Sequence, residues 1–134
     1  IDVRMRLTRR NRNYVGTQFG GSLYSMTDPF YMLMLMQHLG KDHIIWDQAA
    51  QIDFVAPGRG TVYARFRLTR EQIEGLRVAA ATGKATRPEL LVDVVSDTGA
   101  VVARVRKTLY IRLKPALRPP AAAEISIPLE SVSE

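Results

Sequence analysis

The chain has 134 residues, a length that fits one domain and excludes two large lobes. Hydrophobic residues make up 46% and charged residues 24%, which is typical of a globular protein and excludes disordered and collagen-like chains. The absence of cysteine excludes disulfides, thiolate metal sites and cysteine nucleophiles and favours a cytoplasmic location, while the net charge of +6 favours an anionic partner without identifying it.

The chain begins with a predicted strand and a glycine-rich loop. Apolar and polar residues alternate from Val3 to Thr8, the two-residue period of a strand with one buried face, and we expect this strand to end near Arg9. A polar run follows and then a dense group of glycines, which indicates a loop leading into a helix. These glycines are Gly16, Gly20 and Gly21.

A long buried helix is predicted from Ser22 to Leu39, because apolar residues fill most of its sides, and Gly40 is placed to end it. Pro29 lies inside this pattern and requires either a kink or a helix that begins there, with Asp28 as its capping residue. The most apolar stretch, 29–36, is far shorter than the ~20 residues needed to cross a bilayer, so no membrane span is predicted.

Two strands are predicted in the middle of the chain. In the first, alternation assigns one face to Trp46, Gln48, Ala50, Ile52 and Phe54. The opposite face then has Asp47, Gln51 and Asp53, and a turn follows at Pro57. The second strand runs from Val62 to Leu68 and directs Arg65 and Arg67 toward solvent or a ligand.

The remaining elements are a short helix, a hairpin and a tail. Thr69 and Gln72 have the spacing of a capping box at the start of the helix. Strands at 90–96 and 100–113 flank the turn sequence Asp97-Thr98-Gly99. Proline and alanine replace patterned sequence after Lys114, so 115–134 is predicted to be an extended tail. The core-facing residues of the last strand are expected to be Val101, Ala103, Val105, Leu109 and Ile111.

This order of elements predicts an α+β protein with a mostly antiparallel sheet around one long central helix, all within residues 1–114. The stretch N-Y-V-G-T-Q-F-G-G-S-L-Y-S-M-T-D, Asn13 through Asp28, resembles the motif of hotdog-fold thioesterases of the phenylacetyl-CoA type. Those proteins carry Asn, Gly, His-Gly-Gly and Asp at this spacing. The matching residues are Asn13, Gly16, Gly20, Gly21 and Asp28, whereas Phe19 stands in place of the histidine.

The resemblance continues through 52–60 and 97–104, and a branch of hotdog proteins with F-G-G in place of H-G-G is similar to this chain. It implies a hotdog fold, an acyl-CoA substrate, a homodimer or a dimer of dimers, and no cofactor. It also implies a catalytic carboxylate at Asp28, which would activate water or act as a nucleophile; we favour water activation. Capping of a helix at Pro29 is the alternative role for this carboxylate.

The glycine pair and Asn13 each have two interpretations. Gly20 and Gly21 would let a thioester approach backbone N–H groups that stabilise its oxyanion, or they would only permit a tight loop. Asn13 would hold the attacking water or the substrate carbonyl, or it would be a turn residue. Phe19 offers only an apolar ring where the family has an imidazole, which argues for slow or absent turnover.

Further candidates for substrate binding are Gly16, Phe19 and Gly20 in the loop and Tyr24 in the acyl pocket. Arginines are candidates for the phosphates of coenzyme A, in particular Arg59, Arg65 and Arg87.

Other functions have weaker support. The two histidines lack metal-binding spacing, and the glycines fit neither a dinucleotide fingerprint nor a P-loop, so we expect no metal and no nucleotide hydrolysis. The cluster of Arg9, Arg10 and Arg12 has no helix-turn-helix, RNP or zinc-finger context, so we expect no nucleic-acid partner. The main alternative to a thioesterase is a non-catalytic hotdog protein that binds acyl-CoA or lipid, motivated by Phe19.

Overall fold

The structure, a computed structural model, describes residues 1–121 and contains five strands and three α-helices there. A 3₁₀ turn at Pro115–Leu117 follows the last strand. None of the helices in the described part is long and apolar enough to cross a membrane. In chain order the elements are β1 Asp2–Met5, α1 Gly20–Ser25, α2 Phe30–Leu39, β2 His43–Phe54, β3 Val62–Arg65, α3 Arg70–Ala81, β4 Glu89–Ser96 and β5 Val101–Leu113.

The five strands form one antiparallel sheet in the order β1-β3-β4-β5-β2. The predicted α+β class and the hairpin around residues 97–99 are confirmed. β5 lies between β4 and β2. Four of its predicted core residues are buried, whereas Val101 is only partly buried because a register shift places Val102 inside instead. The four are Ala103, Val105, Leu109 and Ile111. β2 is an edge strand of 12 residues and pairs only through its β5 side among the described residues.

The predicted long helical segment lies on the inner face of the sheet and is divided at Pro29 into two helices, which is the second of the two options that the sequence allowed. α1 ends at Ser25 and α2 begins at Phe30, with Pro29 as its capping position and a cis peptide bond before it. Proline has no N–H to donate within a continuous helix, and its ring clashes with the carbonyl of the preceding turn. No side chain caps α2, so the capping role considered for Asp28 does not occur here.

The core forms between α2 and the inner face of the sheet. Phe66 is fully buried, and its ring lies 5.2 Å from that of Phe30 and 5.0 Å from that of Tyr31. The Tyr31 hydroxyl donates to the Leu91 carbonyl at 2.6 Å, which satisfies its polar end while the ring stays in the core. The helix is thereby held across the middle of the sheet.

A β-bulge in β2 changes which side chains face the core. Asp47 pairs with Leu109 and Ala49 pairs with Thr108, so Gln48 is an extra residue without a partner. An extra residue reverses the alternation of the side chains beyond it. The prediction that Trp46 and Ala50 share one face is therefore wrong. Trp46 stacks on Tyr110 on the outer face, at 4.2 Å between ring centroids, whereas Asp47 faces inward.

The two ends of the chain also differ from prediction. β1 ends at Met5 instead of near Arg9. The Asn11 side chain donates to the Arg6 carbonyl and accepts from the Thr8 N–H, and these bonds hold the chain in a loop after the strand. The predicted extended tail begins with the 3₁₀ turn, and the Arg118 side chain donates to the Leu113 carbonyl. Residues 122–134 lie outside the described part, so the rest of the tail stays a prediction.

The capping box at α3 is confirmed and allows a stability prediction. The Thr69 hydroxyl accepts from the Gln72 N–H at 3.1 Å, and the Gln72 side chain accepts from the Thr69 N–H at 2.8 Å. We expect Thr69→Ala to lower the free energy of unfolding by about 1 kcal/mol, because it leaves a helix-end N–H without its acceptor. Urea denaturation measures this loss, and Thr69→Ser should restore most of it. A stability unchanged by Thr69→Ala would contradict the cap.

Candidate active site

The loop before α1 is organised by the side chain of Asn13. Its carbonyl oxygen accepts from the N–H groups of Val15 at 3.2 Å and Thr17 at 2.9 Å, and its amide donates to the Thr17 hydroxyl at 2.8 Å. Gly16, inside this turn, has a φ of 86°, a conformation that favours glycine. The turn-residue interpretation of Asn13 is thus confirmed, and its catalytic role stays a prediction.

Gly20 and Gly21 begin α1 and present backbone N–H groups. Within residues 1–121, no backbone carbonyl accepts a hydrogen bond from either of these amides. Aromatic rings cover the glycines closely: a Cβ at Gly20 would lie 2.9 Å from the Phe54 ring, and one at Gly21 would lie 2.6 Å from the Phe19 ring. A side chain at either position would displace one of these exposed rings, and the two N–H groups remain available as hydrogen-bond donors.

A pocket of about 360 Å³ opens beside this loop. Asn13 and Gly20 line it from one side, and Phe54 lines it from the end of β2. Phe19 lies outside this lining and is 55% exposed. The pocket thus has polar groups from the loop and an apolar wall from the sheet, which suits a ligand with both characters.

Asp28 lies elsewhere, in a charged cluster around a buried lysine. The Lys107 side chain is 1% exposed, and its ammonium nitrogen lies 2.9 Å from Asp28 Oδ1 and 3.2 Å from Asp47 Oδ2. The Tyr24 ring faces the same ammonium at 5.2 Å from its centroid. Asp28 is the most exposed ionic member, at 44%, against 20% for Asp47. Solvent therefore reaches the cluster mainly through Asp28.

The sequence contains one signal for this cluster, the position of Lys107, which was not among the residues predicted to face the core. Lys107 lies between Val105 and Leu109, in the inward phase of a strand whose other inward residues are apolar. A lysine in such a phase is rarely buried without an ionic partner. The second partner, Asp47, could not be found in this way, because the bulge at Gln48 reverses the expected face.

The electrostatics of the cluster differ between the two carboxylates. The hydrogen bond from Lys107 lowers the pKa of Asp28 below its ordinary value, and the neighbouring Asp47 contributes in the same direction. Burial raises the pKa of Asp47, and the neighbouring Asp28 raises it further. Burial opposes the charge of Lys107, but its contacts with both carboxyl groups outweigh this and raise its pKa. The solvent-facing carboxyl is therefore ionised and the inner one holds a proton more readily.

The predicted arginines do not converge on one place. Arg59 follows Gly58, which lines the pocket by the loop. Arg65 lies on β3 and is exposed, opposite Asp2 of β1. Arg87 lies on the outer face of the sheet, where it donates to Gln48 at 3.0 Å and covers the Tyr110 ring. Among the described residues there is no group of three His, Asp or Glu side chains that could hold a metal ion.

Most of the chain matches one known protein family. Residues 1–111 match the model of a family described as a domain of unknown function, DUF4442. No curated protein matches the chain.

Solved structures share the architecture. A protein of unknown function from Pseudomonas aeruginosa, described as a probable thioesterase, has a TM-score of 0.74 and 22% identity over 84% of this chain and 76% of its own. A thioesterase from Haemophilus influenzae has a TM-score of 0.60 and 16% identity over 91% of this chain and 76% of its own. A Bacillus halodurans protein solved with CoA has a TM-score of 0.56 and 16% identity over 84% and 68%. These likenesses confirm the predicted hotdog fold.

Proposed function

The chain belongs to the DUF4442 family, and we propose that it hydrolyses acyl-CoA thioesters by water that Asp28 activates, with the thioester oxygen held at the amide of Gly21. The observation that carries this proposal is the state of the Asp28 side chain. Lys107 fixes it at 2.9 Å and keeps it ionised, yet 44% of it remains exposed to a water or a ligand. A general base must start ionised and must reach its water.

The N–H groups of Gly20 and Gly21 support the oxyanion part of the proposal. A thioester carbonyl gains negative charge when water attacks it, and fixed donors at that oxygen lower the barrier. These two amides have no backbone acceptor among the described residues. Because α1 has only six residues, the donors themselves, and not a long helix dipole, would provide the stabilisation.

The two parts of the proposed site lie in different places in one protomer. Gly20 lines the pocket beside the loop, whereas Asp28 is absent from that lining and contacts Lys107. We propose that Asp28 of one protomer acts beside Gly21 of another, in a homodimer or a dimer of dimers. β2, an exposed edge of 12 residues, offers main-chain groups for such pairing.

The pocket beside the loop is the proposed place for the acyl-thioester end of the substrate. Phe54, Leu23 and Val55 give it an apolar wall, and Gly20 brings an amide to its rim. Arg59 lines an adjoining pocket that shares Ala56 and Pro57 with this one, and we propose it for the coenzyme A phosphates. The Bacillus halodurans protein solved with CoA supports this class of ligand.

A non-catalytic acyl-CoA-binding protein is the second candidate, and Phe19 favours it. The ring offers no hydrogen bond to the thioester and lies against Gly21, within 2.6 Å of where a Cβ would be. In that case the same pocket would bind acyl-CoA while the carboxylate remained idle. Only a rate measurement separates these two functions.

The test follows free thiol released from short, long and aromatic acyl-CoAs, in parallel with calorimetry on the same ligands. Thiol release from at least one acyl-CoA supports the thioesterase. Binding without thiol release supports the acyl-CoA-binding protein and overturns the thioesterase. Binding to neither, with salt-dependent binding to nucleic acid, would overturn both.

A further inference from the structure

We infer that Lys107 and Asp47 are positioning and proton-holding partners of Asp28: Lys107 fixes the orientation of the Asp28 carboxylate, and Asp47 receives the proton that Asp28 removes from water. This inference rests on the proposed function and extends it to two residues outside the motif 13–28. Its basis is the geometry of a cluster in which two carboxyl groups contact one buried ammonium group.

Lys107 has the contacts of an orienting residue. Its side chain is buried, both ion pairs use its ammonium group, and the Tyr24 ring covers it from α1. Strand partners on both sides, Leu90 of β4 and Ala50 of β2, fix its backbone inside the sheet. A charge held in this way restrains the carboxylate that it contacts, whereas a solvent-exposed lysine would not.

Asp47 has an unsatisfied position. Its Oδ2 faces Lys107, while its Oδ1 is buried and has no hydrogen-bond partner within residues 1–121. A buried acceptor without a partner is costly unless it acquires a proton or a ligand. Both carboxyl groups contact the same Lys107 nitrogen, Asp28 at 2.9 Å and Asp47 at 3.2 Å, so this shared contact holds them beside each other.

The net charge of the cluster allows it to accept one proton. With both carboxylates ionised and Lys107 protonated, the cluster has a net charge of −1 and becomes neutral when it takes one proton. Asp28 alone is a weak base, because Lys107 holds its pKa low, but Asp47 holds a proton more readily. Transfer from Asp28 to Asp47 therefore removes the main disadvantage of an ion-paired base.

The proton transfer takes place within one cycle of thioester hydrolysis. The water oxygen bonds to the thioester carbon while one water proton passes to Asp28 and then to Asp47. The C–S bond breaks, and its electron pair stays on the CoA sulfur. The stored proton returns through Asp28 to that sulfur, and the carboxylic acid product releases its remaining proton to solvent. No oxidant, reductant or metal takes part in this balance.

The first test compares pH profiles of kcat/KM for thiol release in the parent, Lys107→Met and Lys107→Arg. The titratable groups around Asp28 are Lys107 of β5, Asp47 of β2 and Tyr24 of α1. Loss of the cation is expected to move the acidic limb upward by about 1 pH unit, since an opposite charge this close favours the ionised carboxylate. Lys107→Arg should restore the limb. Parallel profiles with only a scaled rate would overturn the orienting role.

The second test uses Asp47→Asn, with Asp93→Asn as control. Asp93 pairs with Arg104 on the exposed face of the sheet and has no part in the cluster. Asparagine preserves the shape of Asp47 but accepts no proton, so kcat should fall roughly tenfold or more with an unchanged KM. Equal kcat values for the two variants would overturn the proton transfer.

A third measurement separates this inference from the proposed function. The side-chain carboxyl carbon of Asp28 is titrated by NMR in the parent and in Lys107→Met, without any substrate. A pKa of Asp28 that rises in the variant supports the cluster even if no acyl-CoA is cleaved. An unchanged pKa overturns the role of Lys107, whereas absence of thiol release in the parent overturns the proton transfer together with the proposed function.

Discussion

Replacing Asp28 with asparagine is expected to lower kcat/KM for acyl-CoA hydrolysis by about 10²–10⁴-fold, the usual contribution of a general base. Asparagine retains the size of the side chain and an oxygen that can accept from Lys107, which contacts Asp28 at 2.9 Å. It cannot take a proton from water. The loss should therefore appear in kcat, and calorimetry should show acyl-CoA binding of similar affinity.

Asp53→Asn is the matched control for this substitution. Asp53 is an exposed carboxylate on β2, opposite Arg104, and lies outside the Lys107 cluster. Steady-state thiol release at a pH of about 8 compares the two variants with the parent. Similar rates for Asp28→Asn and Asp53→Asn would exclude Asp28 as the base.

The Lys107→Met variant is expected to lose about 3–5 kcal/mol of unfolding free energy near neutral pH, the usual cost of removing one partner of a buried ion pair. The substitution leaves Asp47 inward-facing beside Asp28, with no cation to compensate the charge of either carboxylate. Urea denaturation at a pH of about 7 measures the loss. Arg104→Met is the control, because the pair of Arg104 with Asp93 is exposed and contributes at most about 1 kcal/mol.

The pH dependence of this loss has a definite sign. Folding lowers the pKa of Asp28, so the stability that its ionised form contributes is present above the ordinary carboxyl pKa of 3.8 and is lost as pH falls through the lower folded value. Without Lys107, both carboxyl groups protonate more readily and the repulsion between them disappears. The difference between parent and variant should therefore shrink from neutral to acidic pH.

A double variant completes the argument for the buried pair. Adding Asp47→Leu to Lys107→Met removes both inner charges and should recover most of the lost stability, since well-packed apolar residues often replace buried ion pairs without cost. A single-variant loss as small as that of Arg104→Met would contradict the account of the cluster, as would a double variant less stable than the single one.

The fold could be predicted from the sequence largely because its signals are local. Alternation along β5, the turn at 97–99 and the capping box at Thr69 each depend on a few adjacent residues, and the structure confirms them. The sequence showed that Pro29 must interrupt the helix, because proline cannot donate the helical hydrogen bond. It did not show whether the interruption would be a kink or the start of a second helix, which is what the structure has.

The errors arise where one residue changes the phase of a strand. The bulge at Gln48 has no distinctive residue type, and it moves Asp47 to the inner face and Trp46 to the outer face. Asp47 joins the charged cluster only through that shift, so the sequence could indicate Asp28 and, from its inward phase, Lys107, but not Asp47. Asn13 illustrates another limit. Its side chain forms hydrogen bonds with Thr17 inside the loop, and the sequence alone could not distinguish this structural role from a catalytic one.

The most direct test of the central claim is a single turnover in ¹⁸O-labelled water, with the protein in excess over the acyl-CoA. Excess protein detects even the slow hydrolysis that Phe19 would cause. The account predicts that one thiol is released per acyl-CoA and that the label enters the carboxylic acid and not the Asp28 side chain. Bound acyl-CoA that releases no thiol would contradict hydrolysis, and label in Asp28 would contradict its role as a base.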